Sequence, residues 1–163
     1  MKMVQLVYFG SDDGPDVTLS IYLTTDRYMT YLYLHENPKP QEYCALRIRC
    51  GLSAKEIEHI KSALEKTLYS ICIQDQGKLI GMGRIVGDLG TTVQIVDIAV
   101  DPDYQGQKLG NMIMKNIMTY IKKNVPETCF VNLFADVDFL YQKFGFVVPN
   151  NTVGMILDRD KLK

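Results

Sequence analysis

A sheet-centred α/β (α+β) fold in a single domain is what the sequence predicts, on three observations. Short β-rich runs fill the first forty residues, and apolar stripes at helical spacing occur further on. Residues 93–100 form a nearly all-apolar run suited to a central strand buried on both faces. The chain has 163 residues, 18 Lys+Arg against 19 Asp+Glu, and a formal net charge of −1. That length suits one domain with a substantial core. Hydrophobic residues at 47% and charged residues at 23% exclude a disordered chain. A net charge so near zero gives no electrostatic case for nucleic-acid binding. The longest stretch free of charged side chains, residues 144–157, is broken by Pro149 and Gly154 and falls short of the roughly 20 apolar residues that span a bilayer. With no long apolar block at the N-terminus either, the expectation is a cytoplasmic protein without membrane contact.

The elements follow in order. Residues 4–9, 17–23 and 28–34 are β-prone, separated by Ser11-Asp12-Asp13-Gly14-Pro15 and by Thr24-Thr25-Asp26-Arg27, both turn-like. They read as a small meander, residues 1–40, closed by Asn37-Pro38-Lys39-Pro40 and forming one domain with a core at 41–163. Residues 42–50 are a candidate strand. Ser53-Ala54-Lys55-Glu56 has the form of a capping box, with Leu52 and Ile57 placed as a hydrophobic staple. Ile57, Ile60 and Leu64 then continue as the stripe of a helix ending near Lys66. Residues 68–74 and 78–86 read as a hairpin around Asp75-Gln76-Gly77, and the buried strand at 93–100 follows the Gly87–Gly90 turn. A long helix is expected from about Gln107 to Lys123, a strand at 129–134, a short helix capped by Asp136 and stopped by Gly145, and a last strand at 153–157.

Four cysteines (Cys44, Cys50, Cys72, Cys129) form no C-x-x-C pair, and only His35 and His59 are available to join them. Reduced, buried thiols and no metal are therefore expected. The chemically informative segment runs from Val96 to Gly110. A buried strand ends at Asp101-Pro102-Asp103, a turn containing Gly106 follows, and a helix begins. The first turn of a helix presents unpaired N–H groups and the positive end of its dipole, so this junction is a candidate phosphate cradle. Neither a P-loop nor a dinucleotide fingerprint can be read in it.

The string Ile98-Ala99-Val100-x-Pro102-x-Tyr104-Gln105-Gly106-x-x-Leu109-Gly110 resembles the acetyl-CoA-binding motif of the GCN5-related N-acetyltransferases. Leu140-Tyr141-Gln142-Lys143-Phe144-Gly145-Phe146 is similar to the second signature of that family. The resemblance covers roughly residues 43–157 and implies a mixed, mostly antiparallel sheet flanked by helices. It implies acetyl-CoA as co-substrate. The pantetheine arm would pair with the backbone of Ile98 and Val100, with an amide of Ala99 or Val100 facing the thioester oxygen. The pyrophosphate would lie on the amides of Gln105, Gly106, Gln107, Lys108, Leu109 and Gly110. Tyr141 matches the family acid that protonates the leaving thiolate, and Lys143 either reaches a CoA phosphate or is simply solvated.

Two departures from the family pattern matter. Lys108 stands where the pattern has glycine. If that backbone is left-handed, the lysine costs about 1–2 kcal/mol; if it is already helical, lysine is tolerated. Gln94 stands where some histone-acetylating relatives carry a catalytic glutamate, which leaves Asp97 as the candidate base or substrate ligand. Asp88 and Arg84 are the further candidates on the substrate side. The implied reaction is acetyl transfer to a primary amine of a small molecule, an arylalkylamine or polyamine, by direct attack in a ternary complex. Tyr22, Tyr28, Tyr31 and Tyr33 either line an aromatic amine pocket or serve as ordinary strand and dimer-surface residues. A protein lysine or N-terminal acetyltransferase and a non-catalytic CoA-binding interaction domain stay open as alternatives, and a homodimer through the meander's edge strands is a further expectation.

Overall fold

In the computed structural model, residues 2–7, 17–23 and 28–162 are described, with side chains from Tyr31 onward. Seven strands form one sheet in sequence order: β1 (Lys2–Val7), β2 (Val17–Leu23), β3 (Tyr28–Leu34), β4 (Tyr69–Asp75), β5 (Lys78–Gly87), β6 (Thr92–Val100) and β7 (Phe130–Leu133). Every neighbouring pair is antiparallel except β6 and β7, which are parallel. Helices α1 (Pro40–Arg49) and α2 (Ile57–Glu65) cover one face. Helices α3 (Leu109–Asn124) and α4 (Asp138–Gln142) cover the other.

The first correction to the sequence reading is at residues 42–50, which are helical. Cys44, Leu46, Ile48 and Cys50 alternate as a strand would, yet Ile48 is 62% exposed, while Tyr43, Leu46 and Arg47, spaced i, i+3, i+4, face inward. A buried arginine on the inner face hid the helical pattern. Pro40 opens the helix at a position where its missing N–H costs nothing. Gly51 closes it at φ +74°, with the Leu52 amide donating to the Arg47 carbonyl and the Gly51 amide to the Ile48 carbonyl.

Ser53 does not cap α2, which starts at Ile57 after an uncapped Glu56; its carbonyl and hydroxyl instead accept from the Arg47 guanidinium. The staple is likewise unmade, since Ile57 is exposed. Asp136 does not cap α4, whose first flanking residue is Val137. Residues 153–157 form no strand: apolar content predicted burial there, but a strand exists only through a ladder partner, and Val153, Met155 and Ile156 lie exposed on either side of Gly154, which approaches Phe134.

The β4–β5 hairpin matches its sequence reading, a two-residue turn with Gln76 at φ 48° and Gly77 at φ 80°. Gly83 is required by close packing. A Cβ there would lie 2.5 Å from Ile113 Cγ2 and 2.7 Å from Ile98 Cδ1, so glycine lets α3 settle directly on β5. Replacing Gly83 with Ala overpacks this contact. We expect a loss of about 1–3 kcal/mol, read as a fall in Tm of about 2–12 °C; an unchanged Tm would show that α3 is not seated as described.

Candidate active site

β6 is the strand on which the site is built, and its backbone is irregular in one place. Val93 and Ile95 face the α3 core, and strict alternation would put residue 97 beside them. Instead the β5–β6 register shifts between Met82/Ala99 and Arg84/Val96, so β6 carries one extra residue there, with Asp97 at φ 59°. The bulge reverses the faces. Ala99 packs with the α1/α2 core, while Ile98 and Val100 turn to the α3 side. Asp97 itself meets α1.

Beyond the bulge, β6 also loses its other neighbour. Its parallel ladder with β7 covers Thr92–Ile95 against Phe130–Leu133 and stops, whereas β6 continues to Val100. The β7-side edge of residues 96–100 is therefore unpaired among the described residues. The Asp101 amide donates to the Ile80 carbonyl at 2.8 Å, toward β5. By alternation, Ala99 also points its backbone toward β5, and the amides of Ile98 and Val100 point to the open edge. Of the amides of Ala99 and Val100, that of Val100 is therefore the one facing the open edge. The Val100 carbonyl on the same edge accepts from Gln105 Nε2 at 3.1 Å.

At the end of β6 the chain makes a single 3₁₀ turn, Pro102–Tyr104, and then passes Gly106 at φ 77° and Lys108 at φ 64° before entering α3. Lys108 is thus left-handed, and the reading of this position as already helical is corrected. The alternating backbone turns successive amides to one side, an arrangement that binds anions. Met112 N–H donates to the Lys108 carbonyl, so the amides of Leu109, Gly110 and Asn111 precede the first helical bond. The turn is braced from several elements. Tyr31 donates to Gln107 Oε1 at 2.6 Å, and Tyr104 donates to Asp75 Oδ2 at 2.9 Å. The Asp101 carboxylate, 1% exposed, is held by Arg49 Nε at 2.9 Å and Lys78 Nζ at 3.1 Å. Burial pushes the Asp101 pKa up, but the bonds from Lys78 and the Asp103 amide, with the charges of Lys78 and Arg49, outweigh it and hold the group below the usual carboxylate value.

A pocket of about 270 Å³ lies where β6 and β7 part, lined by Arg47, Leu52, Gln94 to Ile98, Leu133, Phe134, Asp136 and Tyr141. The structure thus brings together Tyr141, Asp97 and the open edge, which the sequence had placed in one site. Tyr141 comes from α4, and its hydroxyl has no hydrogen-bond partner among the described residues. Burial, then the charge of Asp136, raises its pKa and keeps the phenol protonated. Gln94 bonds to Asn132 across the β6–β7 ladder.

Three other sequence assignments change. Asp97 is no free base. It accepts from Arg47 on Oδ1, and from Arg84 Nη1 at 3.0 Å and the Tyr43 hydroxyl at 2.8 Å on Oδ2, so the carboxylate is already engaged by two cations and a phenol. Arg84 is 4% exposed and spent on Asp97, Tyr43 and Thr67, so it buttresses the site rather than touching substrate. Asp88 closes the β5–β6 turn, accepting from the amides of Gly90, Thr91 and Thr92 and from the Thr91 hydroxyl, which depress its pKa. Tyr31 and Tyr33 are buried in the α3 core at 2% and 1% exposure, away from the pocket; the side chains of Tyr22 and Tyr28 lie outside the described ones. Lys143 sits exposed at the end of α4, over the Phe139 ring. Sequence reasoning missed Arg47 and Tyr43, because it placed them on a strand.

The family model for the acetyltransferase (GNAT) domain matches residues 66–148, just over half of the chain. The chain belongs to the GNAT acetyltransferases. SA2161 from meticillin-resistant Staphylococcus aureus, a protein of unknown function grouped with the acetyltransferases, is 44% identical, with a TM-score of 0.75 over 78% of this chain and 98% of its own. The uncharacterised N-acetyltransferase ycf52 of Gracilaria tenuistipitata var. liui is 28% identical over 88% of this chain and 76% of its own. An acetyltransferase of Clostridium acetobutylicum solved with acetyl-CoA shares the fold, with a TM-score of 0.60 at 12% identity over 77% of this chain and 96% of its own. GNAT acetyltransferases use acetyl-CoA, and the open edge followed by an amide-lined turn is suited to that molecule's arm and pyrophosphate.

Two expectations follow from the turn. A carboxylate held below its unfolded pKa of about 3.9 contributes stability above that value and loses it as the pH falls through the folded-state one. Asp101→Asn should therefore lower Tm at neutral pH, and the gap to wild type should close as the pH drops below about 4. Lys108→Gly removes the left-handed strain but adds unfolded-state freedom, for a net gain of about 1 kcal/mol or less. Its Tm should rise by about 1–4 °C, whereas a fall would mean that the lysine side chain stabilises the free protein.

Proposed function

We propose that this GNAT protein transfers the acetyl group of acetyl-CoA to a primary amine of a small molecule, by direct attack within a ternary complex. Acetyl-CoA supplies the reactive thioester. The observation that carries the reading is that the free hydroxyl of Tyr141 and the unpaired edge of β6 line the same pocket. A volume of about 270 Å³ has room for an acyl group and a small amine. The backbone of Ile98 and Val100 pairs the pantetheine arm, with the Val100 amide as the donor toward the thioester oxygen. The amides from Gln105 to Gly110 take the pyrophosphate, and the Lys108 ammonium adds a charge to it.

Tyr141, kept protonated by burial, donates to the departing sulfur. Attack requires a neutral amine, so a group in the pocket must take its proton. Asp97 is engaged by two guanidinium groups, whereas Asp136, exposed at the pocket rim, makes no ion pair among the described residues. Asp136 is therefore assigned as the carboxylate that receives the amine and its proton.

The first test is the melting temperature with acetyl-CoA, compared with free CoA. Ligand at about 100 times its Kd adds roughly 2.7 kcal/mol, which for a chain of this size is a rise of about 5–11 °C. No shift at millimolar ligand would remove the proposal. An amine panel read by thiol release then identifies the acceptor. Tyr141→Phe should lower kcat by about a hundredfold or more with little change in KM, and Lys108→Gly should instead raise KM for acetyl-CoA severalfold.

A further inference from the structure

Four side chains beneath the pocket form a cluster that the acetyl-transfer steps leave without a role. Tyr43 and Arg47 come from α1, Arg84 from β5 and Asp97 from the β6 bulge. Arg84 Nη1 reaches Asp97 Oδ2 at 3.0 Å, the Tyr43 hydroxyl reaches the same oxygen at 2.8 Å, and Arg47 takes Oδ1. Both guanidinium carbons lie 5.5 Å from the Tyr43 ring centroid, so the ring packs against both cations. The cluster is itself tied down. Ser53 accepts from Arg47 through both its carbonyl and its hydroxyl at 3.0 Å, and Thr67 Oγ1 accepts from Arg84 Nε at 3.1 Å.

We propose that this cluster is a positioning device: it holds Asp97 on the α1 face, fixes the β6 bulge, and so aims the Ile98 and Val100 amides at the open edge. Without the extra residue, Asp97 would point into the apolar α3 core beside Val93 and Ile95, where a carboxylate has no partner. With it, the carboxylate finds three donors. β5 pairs with the strand on either side of the bulge, but residues 96–100 have no β7 ladder on the other edge, and Asp97 itself occupies a left-handed conformation that non-glycine residues avoid, so its side-chain contacts are what hold it there. Loss of the bulge would shift the register with β5 by one residue and reverse the direction of every amide that follows. Asp97 is thus a positioning residue, acting on the reacting atoms through the backbone that follows it. Its kinetic consequence rests on the acetyl-transfer reading; its structural consequence does not.

The test pairs amide hydrogen exchange of the free protein with steady-state kinetics, on wild type, Asp97→Asn, Tyr43→Phe and Asp88→Ala. In Asp97→Asn, exchange across residues 96–100 should rise by about tenfold or more relative to residues 92–95, which stay paired to β7. Its kcat should fall by about 10- to 100-fold, KM for acetyl-CoA should rise because the same amides pair the pantetheine arm, and both limbs of the pH–rate profile should be kept. Tyr43→Phe removes a single donor from a preserved ring and should show the same effects in weaker form, which decides the matter if Asp97→Asn does not fold. Asp88→Ala loosens the distant β5–β6 turn and should leave exchange at 96–100 unchanged. Unaltered exchange at 96–100 in the folded Asp97→Asn or Tyr43→Phe protein would overturn the proposal. So would loss of the acidic limb of the pH profile in Asp97→Asn, which would make Asp97 the base. If wild type transfers no acetyl group to any amine, the functional reading fails, and the exchange measurement still decides whether the cluster sets the bulge.

Discussion

Five residues of β6 run past the end of β7, and an unpaired strand edge beside a pocket would fray or collapse unless something other than a ladder held it. The structure meets this constraint with charge. Asp97 stands near the start of the open segment and Asp101 just past its end, and each is gripped by one arginine of α1, Arg47 and Arg49 respectively. The second cation in each case comes from β5, Arg84 for Asp97 and Lys78 for Asp101. One helix and one strand therefore fasten both ends of the segment from the α1 and β5 sides. Its remaining edge stays open for a ligand backbone. Buried ion pairs contribute little net stability when weighed against apolar packing. Their use here is to specify one backbone arrangement where hydrogen-bond pairing cannot.

The same economy explains why left-handed non-glycine residues gather around this segment. Asp97 and Lys108 lie at φ 59° and 64°, at the bulge and at the entry to α3. Each conformation is unfavourable for an L-residue, and each is surrounded by contacts that enforce it. Around Asp97 these are the three donors. Around Lys108 the contacts lie in the preceding turn, with Tyr31 on Gln107 and Tyr104 on Asp75, so β3 and the β4–β5 hairpin brace a loop distant from them in sequence. The three strands ahead of α1 are continuous with this support, since β3 pairs with β4 and carries Tyr31. β3 thus acts on the site through the sheet and through Tyr31.

Much of this was legible from the residues, and the failures have physical causes. The β4–β5 hairpin, the buried β6, the long α3 and the junction between them could be read because their signals are local: a turn dipeptide, a run of apolar residues, a stripe at period 3.6. The motif resemblance added the order of parts and picked out Tyr141. Helix α1 was misread because its inner face carries Arg47, and a buried charge is intelligible only once its partner Asp97, fifty positions away, is in place. The bulge at Asp97 could not be placed from the sequence. Nothing local to residues 96–98 announces the insertion. Arg84 and Asp88 were taken for substrate residues because residue type shows chemistry but not whether that chemistry is already used.

The aspartates show what decides that use. Asp88, Asp97, Asp101 and Asp136 all lie on or near the ends of β6 and β7, and their side chains are identical. Asp88 spends its oxygens on the amides of its own turn, Asp97 on two guanidinium groups and a phenol, and Asp101 on Arg49, Lys78 and the Asp103 amide. Each of these three is engaged by donors that the fold supplies before any substrate arrives. Asp136 follows β7 where the sheet has already parted, and at the pocket rim it makes no ion pair among the described residues. Its charge is felt by Tyr141, whose phenol it helps to keep protonated. On the proposed reading, Asp136 as proton acceptor and Tyr141 as proton donor would stand on the same wall of one pocket. The parting of β6 and β7 that leaves the edge of residues 96–100 unpaired also leaves this one carboxylate unclaimed, so on that reading cofactor binding and proton transfer would derive from the same break in the sheet.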